Sequence, residues 1–333
     1  MFKEHLQYLV CPNCKVALSI QATKEEAGHI IEGTLVCVRC SKTYPIVDSI
    51  PRFVPQANYA DSFGFEWNMH KKTQHDSASG VEASKKRFYE ETHWNKPNGE
   101  SFIILEAGCG SGRFTPFALE AAGEAGLVIS FDYSSAIDAS ARTNIPSKNL
   151  LLLQASIFEL PLVPLIDRCF CFGVLQHTPS AKNAINALVS VLKNGGELVC
   201  DHYPFNKNTP FNTKYWVRPI TTRIPHKILY NFGRKYIDFM WPIFKMNREC
   251  FSPKVANRIN WRLLVPDYTS AGLSEEMLKE WAYLDFFDML SPKYDRPIRM
   301  HTFHRYLVES GLDCVETKPG YNGWEGRGIK KCD

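Results

Sequence analysis

Four cysteines near the start of the chain have the spacing of ligands for one metal ion. They form two CxxC pairs, Cys11 with Cys14 and Cys37 with Cys40, and 22 residues separate the pairs. Each CxxC pair presents two thiolates from a tight turn, so two pairs complete the tetrahedron that Zn²⁺ prefers. Because cysteine fills all four positions, no coordination position stays open for catalysis. The spacing predicts a structural zinc site and disfavours a redox-active CxxC pair or a chance pairing of cysteines.

A glycine-rich turn forms the second candidate site. An apolar run ends at Glu106 and is followed by glycines at alternate positions, Gly108, Gly110 and Gly112. Glycine lets the backbone approach a ligand closely, and the helix that follows offers unpaired amide groups. Asp132 stands 20 residues after Gly112, where a carboxylate can bind the hydroxyls of a ribose. An acidic residue at Glu106 suits an ammonium group and would repel a pyrophosphate, so a methionine-bearing nucleoside is favoured over a dinucleotide.

These residues lie in a region where predicted strands alternate with predicted helices. The predicted strands are 103–105, 127–131, 150–153, 169–172 and 198–200, and the predicted helices between them are 113–122, 135–142 and 181–192. Such alternation is typical of a mainly parallel sheet with helices on both faces. The predicted fold class is therefore α/β, with a doubly wound, mostly parallel sheet.

The motifs occur in an order that resembles the class I S-adenosylmethionine-dependent methyltransferases. The motifs are ILEAGCGSGRFT, SFDYS, LLQASIFELPL, CFGVLQHTP and LKNGGELV, all within residues 100–203. The likeness is greatest to the branch that includes the ubiquinone-biosynthesis methylases, and a predicted helix at 301–311 with strands at 313–318 and 328–331 resembles that family's closing elements. The segment 44–53 resembles the end of the small zinc-ribbon domains that precede, or partner, many bacterial methyltransferases. The resemblance implies a Rossmann-like fold, methyltransferase activity, S-adenosylmethionine as cofactor and a small N-terminal zinc ribbon.

The resemblance also assigns individual residues to the cofactor. Glu106 and the glycines after it would hold the methionine end, Asp132 the ribose, and Tyr133 would lie beside the adenine. Ser156 and Ile157 would flank the adenine ring, although family members usually carry an acidic residue where Ser156 stands. A serine accepts that hydrogen bond without charge assistance, so affinity should depend more on Asp132. The implied set is Glu106, Gly108, Gly110, Gly112, Asp132, Tyr133, Ser156, Ile157, Gly173 and Val174, the last two beside the reactive sulfonium.

His177 is the candidate general base. It follows the fourth predicted strand, at the edge of the sheet where ligands bind in such folds. An imidazole exchanges a proton readily around neutral pH, so His177 could take one from an acceptor hydroxyl. It could equally bond the start of a helix or shape the acceptor pocket, and displacement at a methyl group can proceed by positioning alone. Asp201, His202 and Tyr203 are second candidates at the same edge.

The chain divides into five segments by composition and motif. They are a zinc ribbon over 1–54, a linker or cleft cover over 55–100, the cofactor-binding core over 101–203, a helical cap insertion over 204–300 and closing elements over 301–333. The second segment carries Phe63, Phe65 and Trp67, more aromatic residues than a free linker. It either docks on the core or covers the cofactor cleft, with Trp67 or Gln74 touching the cleft.

The cap insertion is basic and aromatic. Residues 205–250 hold nine Lys or Arg against two acidic residues, a net of +7. Helical spacing predicts an amphipathic helix whose apolar face packs on the core, formed by Ile228, Leu229, Phe232, Tyr236 and Ile237. A basic aromatic cap could also close over a phosphorylated or lipid-linked small molecule, rest on an anionic membrane surface, or bind RNA.

Methyl transfer to a small molecule is the favoured function, with oxygen as the expected acceptor atom, because a large lid encloses a discrete acceptor. The run 285–297 resembles a segment of methyltransferases that act on small molecules or sugars. The alternative is an rRNA or tRNA base methyltransferase, although the basic residues of the ribbon are offset by acidic ones. A non-catalytic protein that binds the cofactor or a partner is a third hypothesis, and a nicotinamide oxidoreductase is a distant fourth.

Composition disfavours a membrane-spanning protein and favours the cytoplasm. No apolar run approaches the roughly 20 residues that span a bilayer, and the first nine residues lack the apolar core of a signal peptide. Apart from the two CxxC pairs, the eleven cysteines are scattered, as expected in a reducing compartment. The net charge of +4 is too small by itself to demand a nucleic-acid or membrane partner.

Overall fold

The computed structural model describes residues 1–55, 58–144 and 147–332, and it begins with a small antiparallel sheet. A 3₁₀ helix, Lys3–Tyr8, precedes the sheet. The four strands lie in chain order and are β1 Leu18–Glu26, β2 His29–Cys37, β3 Thr43–Val47 and β4 Ile50–Pro51. A bridge between Val10 and Ala17 and the pairing of Leu18 with Cys37 bring the two CxxC turns to the same end of this sheet.

Three helices follow in the segment predicted to be a linker or cleft cover: α1 Asp61–Met69, α2 Asp76–Ser79 and α3 Ala83–Thr92. The sequence predicts docking of this segment but not its helices. In α3 the apolar period is weak because two of the buried positions are charged, Arg87 and Glu91, and these pair with each other. Tertiary contacts therefore stabilise this helix more than its own apolar periodicity does.

The centre of the molecule is a set of parallel strands with intervening helices. Its elements are β5 Ile103–Ala107, α4 Thr115–Ala122, β6 Leu127–Asp132, α5 Ala136–Thr143, β7 Leu150–Gln154, β8 Ile166–Cys171, α6 Ala181–Val191 and β9 Leu192–His202. All residues of β6 and β7 are buried, as expected for strands that are covered on both faces. Two strands, β8 and β9, begin earlier than predicted because each starts with one buried apolar residue, Ile166 or Leu192, that polar or glycine residues separate from the predicted apolar run.

Four helices form the cap: α7 Thr213–Thr221, α8 His226–Cys250, α9 Pro253–Arg262 and α10 Glu275–Leu290. Their apolar cluster includes Leu229, Ile237 and Phe287, with Phe65 of α1 packed against it. The predicted amphipathic helix lies within α8, but its predicted face is partly wrong. Leu229 and Ile237 are buried and Tyr236 is half-buried, whereas Ile228 and Phe232 are exposed on the solvent side of α8. The Phe232 ring still packs beside Phe286 of α10, with centroids 6.4 Å apart.

The closing elements complete the large sheet. They are α11 Met300–Glu309, β10 Leu312–Gly320 and β11 Gly323–Lys330. The seven strands lie in the order β10-β11-β9-β8-β5-β6-β7, with β5 to β9 parallel and the two last strands antiparallel. This confirms the predicted α/β class with a mostly parallel sheet. Among the residues that the structure describes, no helix has the length and apolar character needed to cross a membrane.

The small N-terminal sheet packs on the β7 edge of the large sheet. Leu35 and Ile46 belong to the same apolar cluster as Leu153 of β7. Arg52, just after β4, bridges to Gln154 and donates to its side-chain oxygen at 3.0 Å. A second bond from Arg52 reaches Asp138 of α5 at 2.7 Å. The zinc-ribbon segment is therefore anchored to the core by both apolar and polar contacts.

Candidate functional site

The four predicted metal ligands come together in one cluster. The sulfur atoms of Cys11, Cys14, Cys37 and Cys40 all lie within 4.8 Å of one another. The separations are 3.7 Å for Cys11 to Cys40 and 3.4 Å for Cys14 to Cys37. A tetrahedral zinc ion with Zn–S bonds of about 2.3 Å places its sulfurs roughly 3.8 Å apart, so the cluster has the right size. The backbone amides of Arg39 and Cys40 each lie 3.4 Å from the Cys37 sulfur, which suits a thiolate.

A cavity of about 750 Å³ lies at the carboxyl ends of β5, β6 and β8. This volume falls within the range of roughly 300–1,000 Å³ that is typical of small-molecule sites. The glycine-rich turn after β5 and the residues after β8 form one wall. The other walls come from α1, α3 and the cap, chiefly α10 and the residues before it. The segment 55–100 thus meets the cavity, and both Trp67 and Gln74 are among its lining residues.

The glycine-rich turn makes room for close contacts. Gly108, Gly110 and Gly112 have positive φ angles of 74°, 55° and 77°, which favour glycine. A Cβ at Gly108 would collide with Val174, and a Cβ at Gly110 would lie 3.0 Å from the indole nitrogen of Trp67. The turn is therefore a cradle that side chains would fill.

Asp132 holds this turn in place from the end of β6. One carboxylate oxygen accepts the amide of Gly110 at 3.0 Å, and the other accepts the amide and hydroxyl of Ser134 at 2.8 and 2.7 Å. Burial raises the pKa of Asp132, and these hydrogen bonds counteract the rise. Asp132 also lines the cavity, so its carboxylate is both a support for the turn and a group that a ligand can reach.

Glu106 is buried beneath the glycine-rich turn and is not among the residues that line the cavity. Its Oε2 accepts hydrogen bonds from Thr115 and Ser130 at 2.6 and 2.5 Å. Its Oε1 is buried without a hydrogen-bond partner in the described part of the protein. Burial raises the pKa of Glu106 to about 7, against the lowering effect of its two hydrogen bonds. The prediction that Glu106 contacts an ammonium group directly stays a prediction.

Two other predicted cofactor residues lie away from the cavity surface. Gly112 faces the side chains of Asn144 and Ser140, so a Cβ there would disturb packing behind the turn. The hydroxyl of Ser156 accepts the amide of Phe158 at 3.2 Å and so supports the local turn. Neither contributes to the wall, and sequence spacing could not reveal this because it does not show which way a turn faces.

The remaining predicted cofactor residues line the cavity: Tyr133, Ile157, Gly173 and Val174 join Gly108, Gly110 and Asp132. The ring of Tyr133 packs against Tyr59, with centroids 4.8 Å apart. Tyr59 precedes α1 and belongs to the segment that covers the cavity. An aromatic pair at this point offers a flat apolar surface of the kind that suits a planar ring.

His177 also lines the cavity. Its Nδ1 lies 2.9 Å from the backbone oxygen of Tyr294. A carbonyl oxygen only accepts hydrogen bonds, so Nδ1 carries the proton and Nε2 of the neutral ring has a free lone pair. The rings of Phe63 and Tyr203 pack edge-on against it at 5.0 and 5.4 Å. The imidazole is thus held in one orientation and one tautomer.

The second-choice residues after β9 have different places. Asp201 is fully buried, accepts the amide of Gly173 at 2.7 Å and pairs with Arg87. His202 is fully buried beside Phe303, with ring centroids 5.8 Å apart, and burial lowers its pKa to about 4. Only Tyr203 of the three lines the cavity. Asp201 and His202 therefore do not reach the cavity surface in this structure.

An acidic wall faces the glycine-rich turn and was not predicted as part of the site. Asp285 and Asp288 line the cavity from α10, together with Trp281 and Leu284 of the same helix. These positions are three and four residues apart, so they share one face of the helix. Two aspartates at such spacing within the otherwise apolar second half of this helix, residues 281–290, are the sequence signal that could have revealed them. Glu66 of α1 adds a third carboxyl group, and both its oxygens are buried without hydrogen-bond partners among the described residues.

Burial dominates the electrostatics of this acidic wall. It raises the pKa of Asp285 to about 7, with Asp288 adding to the rise and Tyr268 opposing it by donating a hydrogen bond. The pKa of Glu66 is raised well above its ordinary value by burial and by the same two aspartates. Burial thus disfavours the ionised carboxylates, which a ligand that is cationic or that donates hydrogen bonds would stabilise.

Arg87 ties the covering segment to the core. Its guanidinium pairs with Glu91 at 2.6 Å on the same helix and with Asp201 at the end of β9. All three side chains are buried. Because Asp201 also accepts the amide of Gly173, this network connects α3 to the cavity wall after β8.

Two segments of the chain match models of known protein families, and one of them contains residues that line the cavity. Residues 105–200 match a family model described as a methyltransferase domain, and residues 3–49 match a model described as Trm112p-like protein. The chain carries a methyltransferase domain. This domain spans β5 to β9 and includes the glycine-rich turn, Asp132 and His177, and the Trm112p-like segment includes all four clustered cysteines. The predicted methyltransferase domain and the predicted zinc-binding N-terminal segment are thereby confirmed, whereas the likeness to the ubiquinone-biosynthesis methylases stays a prediction.

Relatives of known function match only part of the chain. The tRNA U34 carboxymethyltransferase of Ruthia magnifica subsp. Calyptogena magnifica is 30% identical over 103 residues. The match covers 30% of this chain and 32% of that protein, about a third of its length.

Solved structures resemble the whole chain only distantly. One belongs to the complex between the Haloferax volcanii Trm112 methyltransferase activator and the putative methyltransferase, with 12% identity over 82% of this chain and 99% of that chain and a TM-score of 0.47. Another is human N-acetylserotonin methyltransferase with SAM, with 9% identity over 83% and 57% of the two chains and a TM-score of 0.41.

The methyltransferase domain implies S-adenosylmethionine as its cofactor, and the residues present fit it. The cradle at Gly108 and Gly110 leaves space for a ligand against the backbone. Asp132 offers carboxylate oxygens at the cavity surface, and Glu106 has one buried oxygen still unpartnered within the described chain. The four-cysteine cluster likewise fits zinc in number, atom type and spacing.

Proposed function

We propose that this protein transfers a methyl group from S-adenosylmethionine to a small molecule held between the glycine-rich turn and α10. The observation that carries the proposal is the cavity of about 750 Å³, which both the methyltransferase domain and the cap line. A discrete acceptor fits such a space, because its walls approach from several sides. Its acidic and aromatic lining suits an acceptor that donates hydrogen bonds.

The residues of the cofactor half have separate tasks in this proposal. When bound, S-adenosylmethionine supplies an electrophilic methyl group on its sulfonium. Asp132 holds the ribose hydroxyls, and Tyr133 with Ile157 provides an apolar surface for the adenine. Glu106, buried beneath the turn, would attract the ammonium of the methionine part by its charge. These contacts fix the direction from which the methyl group meets the acceptor, which is where most of the rate enhancement of such a displacement arises.

In the acceptor half, His177 accepts a proton from an acceptor hydroxyl at Nε2. Its Nδ1–H donates to the Tyr294 carbonyl, so the free lone pair of the neutral ring belongs to Nε2. Asp288, one of the carboxyl groups of the acidic wall of the same cavity, would orient the acceptor. Oxygen is the proposed acceptor atom because a hydroxyl must lose a proton on methylation, and His177 is placed to take it.

The test is label transfer from methyl-labelled S-adenosylmethionine to fractions of a cell extract. The low-molecular-weight fraction and the RNA fraction are incubated separately with the protein, and His177→Ala serves as the variant of reduced turnover. We expect label in small molecules that depends on His177. Label confined to RNA would refute the small-molecule proposal while leaving methyl transfer intact.

RNA methylation is the second candidate because one observation favours it beside the match to the tRNA-modifying relative. A second, more open cavity of about 790 Å³ is lined by basic residues of α9, Lys254, Arg258 and Arg262. Trp261 lines both cavities, so a polyanion bound along α9 could present a base to the main cavity. Affinity for tRNA that falls steeply with salt would favour this candidate.

The state of the cysteines indicates where in the cell the protein is located. All eleven cysteines are free of disulfide bonds. Free cysteines and a thiolate zinc cluster both persist in a reducing compartment, so we propose a cytoplasmic location.

A further inference from the structure

We propose that the outer face of α8 docks on an anionic membrane surface. The proposal does not depend on the identity of the acceptor or on the proposed function. It concerns six residues on one side of this helix, called the α8 stripe: Ile228, Phe232, Lys235, Phe239, Pro242 and Met246.

The α8 stripe is continuous and solvent-exposed. Its residues recur at alternating intervals of four and three, which places all of them within a narrow sector of the helix. From first to last the stripe is about 27 Å long at 1.5 Å per residue. The exposed fractions of Ile228, Phe232, Phe239 and Met246 are 61, 58, 75 and 52%. Single exposed apolar residues are ordinary on protein surfaces, but a contiguous row of this length marks an interaction site.

Packing on the other side of α8 fixes the stripe outward. Leu229, Gly233, Ile237 and Trp241 are buried, and α8 packs against α9 and α10 through that side. Gly233 allows close approach, because a Cβ there would collide with the Phe286 ring. The helix cannot rotate to bury the stripe without losing these contacts. The stripe is therefore the free face of a helix whose core face is already occupied.

Basic residues accompany the stripe. Helix α8 has five basic residues against two acidic ones, and although Lys245 pairs with Glu275 and Arg248 with Asp267, Lys227 and Lys235 have no ion-pair partner among the described residues. Helix α7, which precedes α8 in the chain, also exposes Trp216 and Ile220, at 64 and 69%. Helices that lie in a membrane interface combine apolar residues such as Phe and Trp on one face with Lys and Arg beside them. The charge favours a leaflet that contains anionic lipids.

Lys235 distinguishes a membrane from a second copy of the chain as the occupant. It lies within the stripe, between Phe232 and Phe239. In a helix pair between two copies, its ammonium would be enclosed by apolar side chains at a high desolvation cost. At a membrane surface the same side chain extends along the apolar face and places its ammonium among lipid phosphates. The stripe is therefore better matched to a lipid headgroup layer than to itself.

The first experiment measures co-sedimentation of the full chain with vesicles. Phosphatidylcholine vesicles are compared with vesicles in which about a third of the lipid is phosphatidylglycerol. We expect at least about tenfold stronger partitioning to the anionic vesicles, weakened by salt. Absence of binding to anionic vesicles, by a chain that still binds S-adenosylhomocysteine, would overturn the proposal. Equal binding to neutral vesicles would overturn its anionic part.

Matched variants then test the face itself. The double variant Phe239→Ser with Met246→Ser should lose about tenfold or more in partitioning. The control Leu165→Ser with Val308→Ser removes two exposed apolar side chains elsewhere and should bind as the unchanged protein does. Lys235→Glu should weaken binding, whereas Lys148→Glu, with the same change of net charge, should not. Equal effects of stripe and control variants would overturn the proposal.

Light scattering tests whether a second copy of the chain, instead of a membrane, binds the α8 stripe. A concentration-dependent dimer that the Phe239→Ser, Met246→Ser variant abolishes, found in place of vesicle binding, would assign the stripe to a second copy and overturn the membrane proposal. Binding of S-adenosylhomocysteine by every variant separates these outcomes from misfolding and from failure of the proposed function.

Discussion

Glu106 is a buried carboxyl group whose ionisation should control cofactor binding. Its pKa is raised to about 7 by burial, and one of its oxygens has no partner in the described chain. An ammonium ligand favours the ionised form, so protons compete with the ligand below pH 7. We predict that affinity for S-adenosylhomocysteine weakens by up to about tenfold for each pH unit below 7.

Titration calorimetry at several pH values measures this effect, with Glu106→Gln as the matched control. The variant should bind more weakly at pH 8 and lack the fall between pH 7 and 6. The same raised pKa makes ionised Glu106 a cost to folding, so in the ligand-free protein this carboxyl contributes less stability as pH rises from its unfolded value towards 7. If the affinity of Glu106→Gln for S-adenosylhomocysteine changed with pH as that of the unchanged protein does, ionisation of Glu106 would not affect ligand binding.

His177 should affect turnover and leave cofactor affinity unchanged. Its Nε2 is the free acceptor in the tautomer set by the Tyr294 carbonyl. We predict that His177→Ala lowers kcat by about 10²- to 10⁴-fold with an unchanged Kd for S-adenosylhomocysteine. Normal turnover in this variant would leave positioning as the sole source of catalysis, and comparison with Asp288→Asn would then identify the residue that orients the acceptor.

At the scale of secondary-structure elements, the Arg87 network holds α3 against the core. Replacing Arg87 by Leu leaves Asp201 and Glu91 buried without their cation. We predict a loss of about 3–5 kcal/mol in the free energy of unfolding, measured by urea titration. The adjacent Lys86 is exposed, and Lys86→Leu should change stability little. Equal effects of the two variants would contradict the assigned role of the network.

The zinc-ribbon segment should depend on its metal. Its own core is small, and it shares Leu35 and Ile46 with the apolar cluster of the large sheet. We predict about one zinc per chain by elemental analysis, lost in Cys37→Ser with Cys40→Ser, and a lower melting temperature. The exposed Cys314 and Cys332 provide a control pair whose replacement by Ser should retain the zinc. Metal content that survives loss of Cys37 and Cys40 would refute the site.

The elements that sequence reasoning identified are those with strong local signals. The parallel strands are nearly continuous apolar runs, and the glycine-rich turn and the two CxxC pairs have fixed spacing, so β5 to β9 and the metal cluster were predictable. Helices α1 and α3 were not, because their buried polar residues, such as Glu66 and Arg87, find partners or cavity space only in the folded chain. The exposed side of α8 was misassigned because helical spacing identifies an apolar face without showing what covers it.

For the molecule as a whole, one half of the cavity is built from elements with strong local sequence signals and the other from elements that depend on tertiary packing. The cofactor half uses residues at strand ends, whose positions follow from the topology of a parallel sheet. The acceptor half combines α1, α10 and the loop before α10, elements that lie far apart in sequence. Their convergence at Glu66, Asp285 and Asp288 depends on how the cap packs, which sequence pattern alone does not determine. Sequence therefore predicts the cofactor more readily than the acceptor.

The central claim is that this cavity binds S-adenosylmethionine through Asp132. Titration calorimetry with S-adenosylhomocysteine tests it most directly, using the unchanged protein, Asp132→Ala and, as a control, Asp313→Ala, whose side chain is exposed. We predict one site per chain, affinity lowered by at least about a hundredfold in Asp132→Ala, and no change in Asp313→Ala. Absence of binding to the unchanged protein, or equal affinity in Asp132→Ala, would contradict the account.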